Sequence, residues 1–393
     1  MQQFKLALVA ALSLTIMLPA YADTGSNNPV SALKFGSQAG HAARHNDTEE
    51  GDHDKHSKVK FSSQISFGDS LSDVGTYAVG TVAALGGGQF TINSPGVKNW
   101  TALMAAQFGL ARPCAAQTGL DGDPALGFSV LPPLHHSGCT NYAQGGARVS
   151  HPIGIGHKAT GGDNARLGLL TVPIAQQIQN HLNVSGGTFK DDEIVFLMAG
   201  ANDVLFQLGL LQAGVTNPTT AISSVALAAS QLVSTIKTQV VGNGAKYVVV
   251  LNIPNIAITP LGNSFDPAVR GLVDIMVNTF NTLLKNGLAV NEPVLYVDSY
   301  SDSYNQFVNP AAYGLSNVTD TSCDFSPAKN PLASSLVCNQ YNLIPGVSNT
   351  YLFADSVHPT PYGHSLIARL VKEEMRNKGW RWHKHRATKK DKS

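Results

Sequence analysis

The sequence predicts an α/β domain, a three-layer α/β/α sandwich with helices on both faces of a mostly parallel sheet. Three observations carry that expectation. From Gln64 onward, short β-rich runs alternate with longer helical ones, an order that implies right-handed βαβ units. Residues 193–198 (Glu-Ile-Val-Phe-Leu-Met) and 246–251 (Lys-Tyr-Val-Val-Val-Leu) are nearly continuous apolar runs, as strands covered on both faces require. The composition agrees: 393 residues, 43% hydrophobic and only 13% charged, support a sizeable core and exclude disorder over most of the chain.

Taken in order, residues 1–22 read as a signal peptide. Lys5 precedes an apolar run over 6–18, and the segment closes on Ala20-Tyr21-Ala22, a small-x-small pattern that a signal peptidase accepts. The run is short for a bilayer span, so export to the periplasm, cell envelope or medium is expected. Residues 23–60 are polar, hold His41, His45, His53 and His56, and read as a flexible leader. Residues 61–378 form the expected domain. Its strands are expected at 65–67, 193–198, 246–251 and 294–297, and its helices at 100–108, 167–182, 219–241, 267–288 and 361–378. The last helix opens with Pro361 in its first turn. Residues 86–162 are Gly/Pro-rich and are expected to be loop-heavy, shaping a substrate cleft.

The net charge of +1 hides an uneven distribution. Residues 61–375 hold thirteen Lys/Arg against nineteen Asp/Glu, a net −6, whereas residues 376–393 hold eight basic side chains and one acid. A nucleic-acid partner is therefore not expected. The tail from 379 mixes Trp380 and Trp382 with Arg381, Lys384 and Arg386. Such a mixture suits peripheral contact with an anionic membrane or envelope.

Four cysteines fit an oxidising compartment and allow three connectivities. The two local pairs, Cys114–Cys139 and Cys323–Cys338, are the expected ones, each closing a loop for about 3 kcal/mol in the chain-entropy account. There is no Cys-x-x-Cys, which speaks against a thiolate zinc site.

Four short blocks carry possible chemistry. In Phe67-Gly68-Asp69-Ser70-Leu71-Ser72-Asp73, a strand runs into a serine ahead of a helical-looking stretch. Ligands collect at such strand ends, and Ser70 reads either as a nucleophile or as a helix N-cap. Asp355-Ser356-Val357-His358-Pro359 offers an imidazole base with a carboxylate three residues away to fix its tautomer. Met198-Ala199-Gly200-Ala201-Asn202-Asp203 follows the most apolar strand, and an Asn amide can donate to an oxyanion. In Asn141-Tyr142-Ala143-Gln144-Gly145-Gly146-Ala147-Arg148, a glycine can bring its backbone N–H close to a ligand. Alone, each block reads as an ordinary strand-end turn. The run 204–211 after Asn202 is apolar and reads as an acyl-chain lining or, more simply, as the buried face of a helix.

In this order, Phe67 to His364, the four blocks resemble the GDSL or SGNH hydrolase family, named for successive Ser, Gly, Asn and His residues. The resemblance implies a flavodoxin-like sheet and ester hydrolysis by a Ser-Asp-His system. It assigns Ser70 as nucleophile, His358 as base and Asp355 as the orienting carboxylate. The oxyanion donors it implies are Ser70 N–H, Gly146 N–H and the Asn202 side chain, with Gly145 the alternative to Gly146. Asp73 is implied to be structural. No Gly-x-Ser-x-Gly elbow occurs, against the larger α/β-hydrolase fold. The chain is similar to the secreted bacterial lipase and acylhydrolase branch, which implies lipid or fatty-acyl ester substrates and no metal or organic cofactor. A carbohydrate acetylesterase, or a non-catalytic binding protein on this scaffold, are the alternatives.

Overall fold

A computed structural model describes residues 58–162, 165–289 and 293–383. The expected signal segment, the four leader histidines and the tail from residue 384 lie outside the described residues. In chain order the first elements are β1 (Ser63–Gly68), α1 (Gly80–Ala84), α2 (Trp100–Phe108), β2 (Gln117–Asp121), β3 (Val130–His135), α3 (Ile174–Ser185), β4 (Glu193–Met198) and α4 (Ala201–Gln212). They are followed by α5 (Pro218–Thr235), β5 (Tyr247–Leu251), α6 (Pro260–Asn263), α7 (Pro267–Leu288), β6 (Val294–Val297), α8 (Ser299–Val308), β7 (Asn317–Thr321), β8 (Tyr351–Phe353) and α9 (Pro361–Asn377).

The central sheet has the order β1-β4-β5-β6, parallel throughout, with Leu197 facing Phe67 on one side and Val250 on the other. Alternate side chains point to opposite faces. Val195, Leu197, Val248 and Val250 pack under α3, α4, α5 and α7, against residues such as Ile178, Val204, Leu232 and Phe280. Ile194, Phe196, Met198 and Val249 pack under α2 and α9, against Trp100, Met104, Val371 and Met375. Burial on both faces is why these strands contain almost no polar residue. Each fully buried side chain of this size contributes about 1.5–3 kcal/mol.

A short segment extends the sheet beyond β1. Ser66 N–H donates to Thr140 O (3.0 Å), Tyr142 N–H to Ser66 O (2.8 Å) and Gln144 N–H to Gly68 O (3.0 Å), and the bridge between Ser66 and Asn141 is parallel. Counting this segment, the second line in sequence lies at the edge and the direction of winding reverses between β1 and β4. That reversal is the topological switch point, where α/β sheets place their ligands. The Cys114–Cys139 disulfide (S–S 2.05 Å) anchors the segment, and Cys323–Cys338 closes the second loop.

Helix starts follow the capping rules. Asp266 accepts from Ala268 N–H and Val269 N–H ahead of Pro267, and Thr360 accepts from Gly363 N–H ahead of Pro361, both pairing a polar cap with a proline first turn. The helix expected over 167–182 begins later, at Ile174. Thr171 has φ +49, a left-handed conformation that an α-helix excludes, and Pro173 disfavours helical backbone before it. The helix expected over 219–241 is α5 running into a π-helical turn at Ile236–Val241.

The domain also takes in more chain than residues 61–378. Val59 N–H donates to Arg381 O (2.8 Å) and His383 N–H to Val59 O (3.3 Å). Trp382, only 9% exposed, meets the Phe108 ring at 5.3 Å and donates Nε1–H to Gln107 O (3.2 Å). Trp380 lies edge-on to Tyr247 at 5.2 Å. The aromatic half of the expected tail is thus a clasp against the body, because removing apolar indole surface from water is favourable.

Candidate active site

Ser70 follows β1 by two residues and sits in a tight turn, in which Asp69 O accepts from Ser72 N–H and Asp73 N–H (3.1 and 3.0 Å). No helix starts at Ser70; the first helix begins at Gly80. The N-cap interpretation is thereby set aside, and the serine hydroxyl is left available. Gly68 is required beneath it, since a Cβ there would lie 2.8 Å from Met198 O and 3.0 Å from Ser72 Oγ.

The loop after β8 brings His358 to this turn. His358 Nε2 lies 2.8 Å from Ser70 Oγ, and His358 Nδ1 lies 2.7 Å from Asp355 Oδ2. With Nδ1–H donating to the carboxylate, Nε2 accepts from the serine hydroxyl. Asp355 is fixed in turn: Oδ1 accepts from His358 N–H (2.7 Å) and Val357 N–H (2.9 Å), and Oδ2 from Ser335 N–H (3.2 Å). Ser335 belongs to the loop closed by Cys323–Cys338, and Cys323 N–H donates to Ala354 O (3.0 Å). Phe90 covers the imidazole, with ring centroids 5.1 Å apart.

Three candidate donors follow β1, the edge segment and β4. Gly145 N–H is taken by Asp73 Oδ2 (3.0 Å), whereas Gly146 N–H and Ser70 N–H meet no acceptor among the described residues. Of the adjacent glycines, Gly146 is therefore the one with a donor free. Its φ of +81 and a would-be Cβ only 2.1 Å from Ile155 O make it a position for glycine alone. Asn202 donates one amide hydrogen to Ala147 O (3.0 Å) and keeps the other.

The 145–149 loop is gripped from both sides. Asp73, expected to be structural, holds Gly145 while also accepting from Gly75 N–H and Thr76 N–H. Asp203 accepts from Val149 N–H (3.0 Å) and pairs with buried Arg148 (Nε to Oδ1 3.2 Å), whose guanidinium lies 4.2 Å above the Phe206 ring. Sequence reasoning gave Asp203 and Arg148 no role, although both stand inside the quoted blocks. Phe90 and Ser335 carry no sequence signal, because their contacts cross between 20 and 268 positions of chain.

Electrostatics separate the carboxyls. Burial pushes Asp355 up, but the His358 charge and the hydrogen bonds from His358, Ser335 and Val357 outweigh it and hold Asp355 well below the usual carboxylate range. Asp69 and Asp73 are both lifted to about 6 by burial, which their backbone hydrogen bonds only partly offset. A carboxylate that stays ionised beside an imidazole fixes its tautomer and favours the imidazolium. In the run 204–211, Val204 and Leu208 are in the core and Leu205 and Leu211 pack against it, as the buried face of a helix.

Residues 65–371 match the family described as GDSL-like lipase/acylhydrolase. Two GDSL esterase/lipases of Arabidopsis thaliana are 29% identical over 87 residues and 28% identical over 102 residues; these stretches span only 22% and 27% of the relatives' lengths. Among solved structures, phospholipase A1 from Streptomyces albidoflavus matches at 15% identity and TM-score 0.41, over 80% of this chain and 99% of that one. A catalytic mutant of an acetylxylan esterase from Geobacillus stearothermophilus matches at 16% identity and TM-score 0.38, over 84% and 99%. With the matched region covering most of the chain and all four blocks, this chain belongs to the GDSL-like lipase/acylhydrolase family.

Proposed function

We propose that this protein is an exported serine hydrolase that cleaves carboxylic esters, of fatty-acyl or phospholipid type, through an acyl-enzyme. The observation that carries the proposal is the unbroken line Ser70 Oγ–His358 Nε2–His358 Nδ1–Asp355 Oδ2, at 2.8 and 2.7 Å. His358 takes the Ser70 proton as Oγ attacks the ester carbonyl. The oxyanion is met by Ser70 N–H, Gly146 N–H and the second hydrogen of Asn202 Nδ2, preorganised donors of the kind that lower such barriers most. His358 then returns the proton to the departing alcohol. Water repeats the sequence on the acyl-enzyme, and all of these steps use only the chain's own residues.

The lipidic substrate class draws support from apolar surface on the β2–β3 hairpin. Leu126, Val130 and Leu134 are 54%, 47% and 59% exposed, and Leu120 of the same hairpin joins the cluster holding Phe90. A panel of esters with two to sixteen acyl carbons, phospholipid and acetylated xylan tests this class. Turnover should rise beyond about eight carbons; a maximum at acetyl, with xylan deacetylated, assigns a carbohydrate acetylesterase instead.

A further inference from the structure

Gln177 lies one turn into α3, is 1% exposed, and uses its whole amide on backbone. Its Oε1 accepts from Gly68 N–H (2.9 Å), while Nε2 donates to Gly68 O (2.9 Å) and to Val172 O (2.8 Å). Gly68 is the last residue of β1 and stands two before Ser70. The edge segment pairs with β1 through Thr140, Tyr142 and Gln144, and a continuing strand would offer a backbone carbonyl to Gly68 N–H. Among the described residues no carbonyl of that segment takes this N–H; the Gln177 amide accepts it instead, and its Nε2 adds a second donor to Gly68 O beside Gln144 N–H. Helix α3 is thereby tied to the turn carrying the serine hydroxyl. Gln144 belongs to the same junction, since its Oε1 accepts from Val172 N–H (2.9 Å).

We infer that Gln177 is a positioning residue for catalysis: its side-chain amide sets the Gly68–Asp69 peptide so that Ser70 Oγ and Ser70 N–H face one substrate carbonyl. The inference rests on Ser70 being the nucleophile. An amide this short-tethered and this buried has little freedom, so its loss lets the turn relax by fractions of an ångström. Displacements of that size cost up to about 100-fold in rate.

The test uses the full mature protein and counts competent sites with a fluorophosphonate that titrates the active serine. Gln177→Met keeps the volume and removes the hydrogen bonds. Its kcat per titrated site is expected to fall about 10- to 100-fold with KM changed less than about threefold. Gln177→Glu supplies the second readout. A neutral carboxyl reproduces one acceptor and one donor, whereas a carboxylate would face the carbonyls of Gly68 and Val172. Burial favours the neutral form, so this variant's activity relative to the parent at the same pH should be greatest at low pH. That ratio should then fall as pH rises, a descending limb absent from Gln177→Met. A purely structural glutamine would lower the melting temperature and leave kcat per titrated site and the pH profile unchanged. That result overturns the inference while Ser70→Ala remains inactive; an active Ser70→Ala would instead overturn the assignment of the nucleophile.

Discussion

The carboxyl ends of the strands and the α2–α9 face of the same sheet are built by opposite means. On the α2–α9 face, Trp100, Phe108, Phe196, Met375 and Trp382 form one apolar cluster, with Phe108 stacked on Phe196 and edge-on to Trp382 at 5.3 Å. At the strand ends, Asp69, Asp73, Asn202, Asp203 and Asp355 are all buried and bound to backbone N–H or C=O groups at 2.7–3.2 Å. Apolar packing is non-directional and sums with area. Buried polar networks add little net stability, but fix atoms in place because an unmet donor or acceptor is costly. One face therefore keeps the protein folded, and the other holds a serine, an imidazole and free N–H groups in register. Changes at the two should separate stability from turnover.

The largest separation is expected at the catalytic line. Ser70→Ala or His358→Ala should lower kcat by about 10⁴- to 10⁶-fold while the urea midpoint stays close to that of the parent. A midpoint that collapses with activity would break the distinction between the two regions.

Trp382→Ala is the mirror experiment. Removing a buried indole from a packed cluster costs about 3–5 kcal/mol, seen as a lower midpoint, with kcat per titrated site unchanged. Loss of per-site turnover would mean that the clasp also governs the strand ends.

Gly146→Ala keeps the N–H but must shift it, and is expected to lower kcat about 10²- to 10³-fold, as the loss of one oxyanion donor does. The added methyl would meet Ile155 O and the φ of +81 resists any other residue. Per-site turnover equal to the parent's would remove Gly146 from the oxyanion site.

The smallest effect sharpens the electrostatic half. Asp73 has a folded pKa of about 6 against about 3.9 when unfolded, so the native state binds the extra proton between those values. Its stabilising contribution is full below about pH 4 and lost as pH rises through 6. The buried His181 and His364, both held below the ordinary imidazole value by burial, act in the opposite direction. The readout is therefore a difference: between pH 4.5 and 7, Asp73→Asn should show a stability change that differs from the parent's by about 1–3 kcal/mol. Equal changes would place Asp73 in an ordinary, unshifted environment.

Much of this organisation was legible in the chain. The apolar strands announced their own burial, and 193–198 and 294–297 lie where expected. The blocks after β1 and β4 marked their strand ends because Gly68-Asp69-Ser70 and Gly200-Ala201-Asn202 come directly after Phe67 and Ala199. Less legible was α8, whose segment Ser-Tyr-Ser-Asp-Ser-Tyr-Asn-Gln-Phe-Val is mostly polar and buries only Ser299 and Gln306. Gln177 gave no signal because Gly68, the partner that ties it to the serine turn, lies 109 positions away. The packing of Trp380 and Trp382 was not legible, since an amphipathic aromatic suits a membrane surface and a core seam equally. Only the location of Phe108 and Tyr247 distinguishes them.

The central claim is that Ser70 is the group that becomes acylated. Reaction of the mature protein with a fluorophosphonate, followed by peptide mass spectrometry, tests it directly. The account predicts one adduct per chain, on Ser70, formed in parallel with loss of ester hydrolysis and absent in Ser70→Ala. An adduct on another residue, or ester hydrolysis persisting in Ser70→Ala, would contradict it.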